Sequence, residues 1–149
     1  MKILFINGSP NKEGNTVHLA NTLLSGKVYD TIHLADYKIY CYGQKYEDDE
    51  FAKVLAAIQQ ADTLVIGSPV YWHNMSGAVR NLLDRLYEAL KKHSLTNKSL
   101  FFLFQGAAPD KWMIEAGEYS IRMFATLYGL DYKGMATTNA QAKELSHKL

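Results

Sequence analysis

Apolar positions along this chain follow two rhythms that alternate. Ile3–Ile6 is an unbroken apolar run cut off by Asn7, Gly8, Ser9 and Pro10. Thr63–Ser68 (TLVIGS) repeats the pattern and is stopped by Pro69. Ser99–Gln105 (SLFFLFQ) does so again before Gly106, Ala107, Ala108 and Pro109. Continuous runs this short predict strands buried on both faces. Val28–Leu34 alternates in part and predicts another strand, and Leu130–Thr137 a weaker fifth.

Helical spacing fills the gaps. Thr16–Ser25 places Val17, Ala20 and Leu24 on one stripe, with Gly26 as a stop. From Glu50 to about Ala61, Phe51, Val54, Leu55 and Ile58 recur at i, i+3, i+4, i+7. A loop over Val70–Ser76 leads into a helix with Val79, Leu82, Leu83, Leu86, Tyr87 and Leu90 on its apolar face. Trp112–Tyr128 carries Ile121, Phe124, Ala125 and Tyr128, and Gly129 ends it. Asn139 caps a last short helix. Asp36–Asp49 has no period, only four tyrosines and Cys41, and reads as a loop.

Strand and helix therefore alternate throughout, which predicts a parallel sheet covered by helices on both faces. The fold class is a three-layer α/β/α sandwich with five parallel strands in the order 2-1-3-4-5, formed by residues 1–149 as one domain. Ligands in such sheets bind beyond the carboxyl ends of the strands, where the strand order reverses. The loops there are Gly8–Asn15, Pro69–Ser76 and Gly106–Pro109, all rich in small, polar or aromatic residues.

Composition narrows the function. Sixteen basic and fifteen acidic residues give a net charge of +1, so nothing points to nucleic acid or an acidic membrane surface. No apolar run approaches the roughly 20 residues that span a bilayer. The chain enters a strand at once with no signal-peptide pattern, and a cytoplasmic location is expected. Cys41 is the only cysteine, which excludes an intrachain disulfide and a cysteine cluster for zinc or iron–sulfur. No metal site is expected.

The first loop has the makings of an anion site. Unpaired N–H groups of a loop and a first helical turn converge on one spot, aided by the helix dipole. Ser9, Asn11, Asn15 and Thr16 add donors suited to phosphate oxygens. The nucleoside-triphosphate loop is excluded, since five residues separate Gly8 from Gly14 and Asn15 stands where its lysine belongs. The dinucleotide fingerprint G-x-G-x-x-G is absent too. A phosphate monoester suits these neutral donors; the alternative is an ordinary strand–helix connection. In the second loop, Tyr71 and Trp72 either cover something flat or cap the core or a subunit contact. His73 is a candidate proton donor or simply exposed. Gln105 and Gly106 offer an amide to a ring nitrogen or carbonyl, or merely close a strand.

GSPNKEGNT (Gly8–Thr16) after the first strand and SPVYWHNMSGAVRNLLDR (Ser68–Arg85) after the third together resemble the flavodoxin-like NAD(P)H-dependent FMN reductases. That family includes small quinone and azo reductases, and the likeness runs from Met1 to about Gly134. The resemblance implies the FMN phosphate at Ser9, Asn11, Asn15 and Thr16. It implies the isoalloxazine flanked by Pro69, Val70, Tyr71, Trp72, His73 and Asn74, with Gln105 and Gly106 at its other edge. Arg80 and Asp84 match a basic–acidic spacing read as a structural or subunit-contact pair. Several relatives carry two or more cysteines after strand two, some holding a cluster; here Cys41 stands alone among Tyr37, Tyr40, Tyr42 and Tyr46.

The implied activity is hydride transfer from NADH or NADPH through FMN to a quinone, a nitro or azo compound, or free flavin, with ping-pong kinetics. No residue is assigned a catalytic role beyond His73. A homodimer or homotetramer is implied. Two rivals stand beside it: a flavodoxin-type electron carrier, usually strongly acidic where this chain is near neutral, and a flavin-free regulatory or binding domain of the same fold.

Overall fold

The computed structural model describes residues 1–149. Its strands are β1 (Ile3–Asn7), β2 (Asp30–His33), β3 (Thr63–Tyr71), β4 (Asn74–Met75), β5 (Ser99–Gln105) and β6 (Asp131–Ala136). Its helices are α1 (Asn15–Leu23), α2 (Phe51–Gln60), α3 (Gly77–Ala89), α4 (Lys111–Tyr128) and α5 (Asn139–Leu145), with 3-10 turns at Leu34–Asp36 and Ser146–Lys148. The main sheet runs β2-β1-β3-β5-β6, all parallel, and β4 pairs antiparallel with the end of β3. Apart from the short β4, this is the expected five-strand order 2-1-3-4-5.

Side chains alternate across the sheet with the strand period of two. Ile3, Phe5, Val65, Phe101 and Leu103 pack under α1 and α5 against Leu19, Leu23 and Leu145. Leu4, Ile6, Leu64, Ile66, Leu100, Phe102 and Phe104 face α2, α3 and α4. Burying each of the β5 phenylalanines contributes about 1.5–3 kcal/mol. Gly117 lets α4 settle onto this layer, because a Cβ there would lie 2.1 Å from the Phe104 ring.

Four expectations are corrected. Pro69 does not end β3, which continues to Tyr71 and pairs Pro69 with Gln105. β1 has already stopped opposite Gly67, so a proline beyond that point removes no ladder bond on that side. Val28, 93% exposed, lies outside β2. Tyr87 is 67% exposed and does not share the buried face of α3. Thr138, whose hydroxyl accepts from the Gln141 amide, caps α5 in place of Asn139.

Candidate functional site

The first loop is tied down from within. Asn7, fully buried at the end of β1, accepts the Ser9 amide at 3.0 Å and donates to the Asn11 carbonyl at 3.1 Å. The Ser9 hydroxyl accepts the Asn11 amide at 3.1 Å. Lys12, the loop's only cation, pairs with Asp36 at 2.7 Å. Gly14 occupies the N-cap of α1 with no side-chain cap. The amides of Asn15, Thr16 and Val17 therefore find no acceptor within the chain, as the first turn of an uncapped helix requires. Thr16 is buried, and its methyl group packs so closely on β3 that a Cβ at Gly67 would come within 2.6 Å of it. Asn7 and Gly67 are thus part of the site's framework, although the sequence marks them only as a strand end and a small residue.

The second loop is mostly a hairpin. Val70 pairs with Met75 and Tyr71 with Asn74, leaving Trp72 and His73 as the two turn residues. Both have positive φ, 47° and 66°, the backbone of the type I′ turn that normally takes Asn-Gly. Side chains with a Cβ hold this conformation at a cost of about 1–3 kcal/mol each, a form of strain concentrated at functional sites. Below the turn, Ser68 Oγ donates to the Pro69 carbonyl and accepts the Ser76 amide at 2.8 Å. Ser76 Oγ donates to the Gly8 carbonyl at 2.8 Å and caps α3 by accepting the Val79 amide. This buried chain of hydroxyls fixes the hairpin to the first loop. Trp72 is 96% exposed, so it does not cap the core.

The third loop closes against the hairpin. A Cβ at Gly106 would lie 3.0 Å from Val70 Cβ, and only a glycine permits that approach without displacement. Between the two loops lies a cavity of about 370 Å³ lined by Val70, Trp72, His73, Gly106, Ala107, Ala108, Pro109 and Met113. Trp112, at the start of α4, meets the His73 ring edge-on with centroids 5.6 Å apart. Gln105 turns the other way, its amide donating toward Thr16 Oγ1 at 3.5 Å. It lines a polar cleft of about 190 Å³ with Asn15, His18, Leu19, Thr137, Thr138 and Asn139.

Of the residues singled out in the sequence, the structure gathers Ser9, Asn11, Asn15 and Thr16 on one loop and Val70, Trp72, His73 and Gly106 around one cavity. Gln105, next to Gly106 in sequence, sides with the first group through Thr16. Pro69, Tyr71 and Asn74 shape the hairpin without lining the cavity. Trp112 was not singled out for the site; an aromatic residue just after a small-residue loop is the signal that could have found it.

Beside the site, the tyrosine-rich segment is an ordered strap. Arg85 donates to Asp49 at 2.6 Å and to the Tyr40 carbonyl at 2.9 Å, with its guanidinium 4.5 Å over the Phe51 ring. Asn81 holds the Ile39 carbonyl at 2.8 Å. Burial works to raise the pKa of Asp49, but hydrogen bonds from Arg85, Phe51 and Tyr40 together outweigh it and hold the carboxyl below the ordinary aspartate value. From α3, Arg85 pairs with Asp49 of the strap and, at 3.4 Å, with Glu88 one turn on; Arg80 and Asp84, both exposed, form no pair within the chain. Cys41 is exposed, and no three His, Cys, Asp or Glu side chains gather as a metal site. No helix is long and apolar enough to cross a membrane.

A parallel α/β sheet whose ligand loops flank the reversal between β1 and β3 defines the flavodoxin-like class. Within it, the chain belongs to the NADPH-dependent FMN reductase family, whose model matches residues 1–141. An iron–sulfur flavoprotein of Archaeoglobus fulgidus is 42% identical over 98 residues, 57% of this chain and 48% of that protein. An NADPH azoreductase of a Bacillus species is 34% identical over 90 residues, 58% of this chain and 50% of that protein. These matches span about half the length of the relatives. In fold, the chain superposes on the Trp repressor binding protein of Bacillus subtilis with a TM-score of 0.79 at 22% identity, covering 99% and 98% of the two chains. With Cys41 as its single cysteine, this chain has too few thiolates to hold a four-cysteine iron–sulfur cluster by itself.

Proposed function

We propose that this chain binds FMN across its first loop and hairpin and passes a hydride from NADH or NADPH to a small electron acceptor: a quinone, a nitro or azo compound, or free flavin. The observation that carries this reading is the juxtaposition of two complementary half-sites. One is a loop presenting the free amides of Asn15, Thr16 and Val17; the other is a largely apolar slot of about 370 Å³ lined by Gly106, whose chain neighbour Gln105 reaches to Thr16. A phosphate monoester fits the first and a flat ring the second. Neutral donors and a helix terminus support this reading without an arginine.

Bound FMN would supply the two-electron chemistry that side chains lack. The protein's share is binding, orientation and proton supply. Ser9, Asn11, Asn15 and Thr16 hold the phosphate. Val70, Trp72 and His73 would wall one side of the ring and Gly106 its other edge, while Pro69, Tyr71 and Asn74 would set the shape of the hairpin and Gln105 would face the phosphate loop. Backbone donors on these loops would stabilise negative charge on the bound group, by the logic of an oxyanion site. His73, exposed at the tip of the turn, can relay a solvent proton to the reduced acceptor. The exposed Tyr71 and Trp72 suit a contact in a homodimer or homotetramer, and the expected location is the cytoplasm.

One open face serving donor and acceptor in turn gives ping-pong kinetics. Initial rates against NADPH at several fixed 1,4-naphthoquinone concentrations are expected to give parallel double-reciprocal lines. Lines converging at a common point would show both substrates bound together and contradict the shared face.

A further inference from the structure

Trp112 has no part in the cofactor reading above, yet its placement is unusual. It stands on the first turn of α4, one residue before Met113, which lines the slot. Its indole is 55% exposed and meets the edge of His73 at 5.6 Å and 64°. His73 itself is held by the left-handed backbone of the hairpin turn. Two rings from separate elements thus meet beside one cavity: His73 lines it, and Trp112 stands against His73. That cavity is lined by neither carboxylate, lysine nor arginine, and most of its lining is apolar. Such a cavity offers a small hydrophilic anion no lysine or arginine, and the exposed indole beside it offers a flat aromatic ring a stacking face.

We propose that Trp112 is the acceptor-selecting residue: its indole, steadied by His73, favours flat, uncharged aromatic acceptors such as quinones over small inorganic anions. The proposal rests on the slot being the redox site. The two acceptor chemistries balance in different ways. 1,4-Naphthoquinone gains the hydride from NADPH and one solvent proton to become the hydroquinone. Two ferricyanide ions take one electron each, and the hydride's proton is released to solvent. Both oxidise NADPH to NADP+, so the ratio of the two activities isolates how the acceptor is received.

Trp112 begins a stripe with Tyr119 and Met123, both exposed on α4; a second copy of the chain is the competing occupant of its face. The test uses the FMN-loaded protein as wild type, W112A and W112F. The kcat/KM ratio of naphthoquinone to ferricyanide is expected to fall at least tenfold in W112A and to recover to within about threefold in W112F. Equilibrium dialysis of naphthoquinone against the oxidised protein, with no nicotinamide present, is expected to show at least fivefold weaker binding to W112A. An unchanged ratio with FMN retained would overturn this role alone. A change in sedimentation mass for W112A would assign the ring to a contact between copies and overturn it too. A wild type that retains no FMN would overturn both this role and the function it rests on.

Discussion

Gly67 and Trp72 show how individual residues set the site. At Gly67, a Cβ would lie 2.6 Å from the Thr16 methyl carbon and 2.9 Å from the Phe5 ring, both buried. G67A is expected to cost about 1–3 kcal/mol through overpacking. It should also lift the first turn of α1 and weaken FMN binding at least tenfold, read by thermal melting and by quenching of flavin fluorescence. At Trp72, the strain works in the other direction. Its side chain is 96% exposed and its φ is 47°, so W72N relieves an unfavourable backbone while surrendering almost no burial. A gain of about 0.5–1 kcal/mol is expected, visible as a higher Tm; a lower Tm would mean that the indole is held by contacts worth more than the strain. Natural proteins keep such strain where function needs the side chain. That is why the alternation of small, polar and aromatic residues located this loop, while nothing in the letters Trp-His announced a type I′ turn that usually takes Asn-Gly.

Elements were legible where one period dominates. β5 was predicted with its observed bounds, Ser99–Gln105, because a run buried on both faces has no competing pattern. β3 runs three residues beyond its apolar run, because a proline forbids a ladder only where a neighbouring strand needs its N–H. The strap from Tyr37 to Asp49 had no period to read, since it is held by Arg85 from a distant helix rather than by local spacing. The Ser76 hydroxyl joins two elements by donating to Gly8 and capping α3. S76A should therefore cost about 1–2 kcal/mol and weaken FMN binding together with stability. The Arg85–Asp49 pair gives a pH signature. The Asp49 carboxyl titrates lower in the folded chain than in the unfolded one. Its contribution is therefore present in full above the unfolded value near pH 4 and is lost as pH falls through the folded value. The difference in denaturation midpoint between wild type and D49N is expected to stay constant from pH 8 to pH 5 and to shrink below about pH 4. A difference that persisted unchanged in acid would mean the pair does not set that stability.

At the scale of the whole molecule, three loops from β1, β3 and β5 meet at one end of a parallel sheet, linked by Ser76 to Gly8 and by Gln105 to Thr16. βα alternation predicts the parallel sheet and five strands suit the observed order, whose reversal is where the candidate site is expected. The sequence shows a polar first loop and an aromatic second one, but not that Gln105 turns toward Thr16 or that Gly106 closes against Val70 to form the slot. A near-neutral chain with a slot open to small molecules suits an enzyme better than an acidic electron carrier. The most direct measurement is the visible absorbance spectrum of the protein after incubation with FMN and desalting, before and after anaerobic addition of NADPH. Flavin bands that stay with the protein and bleach on NADPH addition are expected. Bands that stay but do not bleach would contradict the reductase activity, and a protein that emerges colourless would contradict the reading of the first loop as a phosphate cradle.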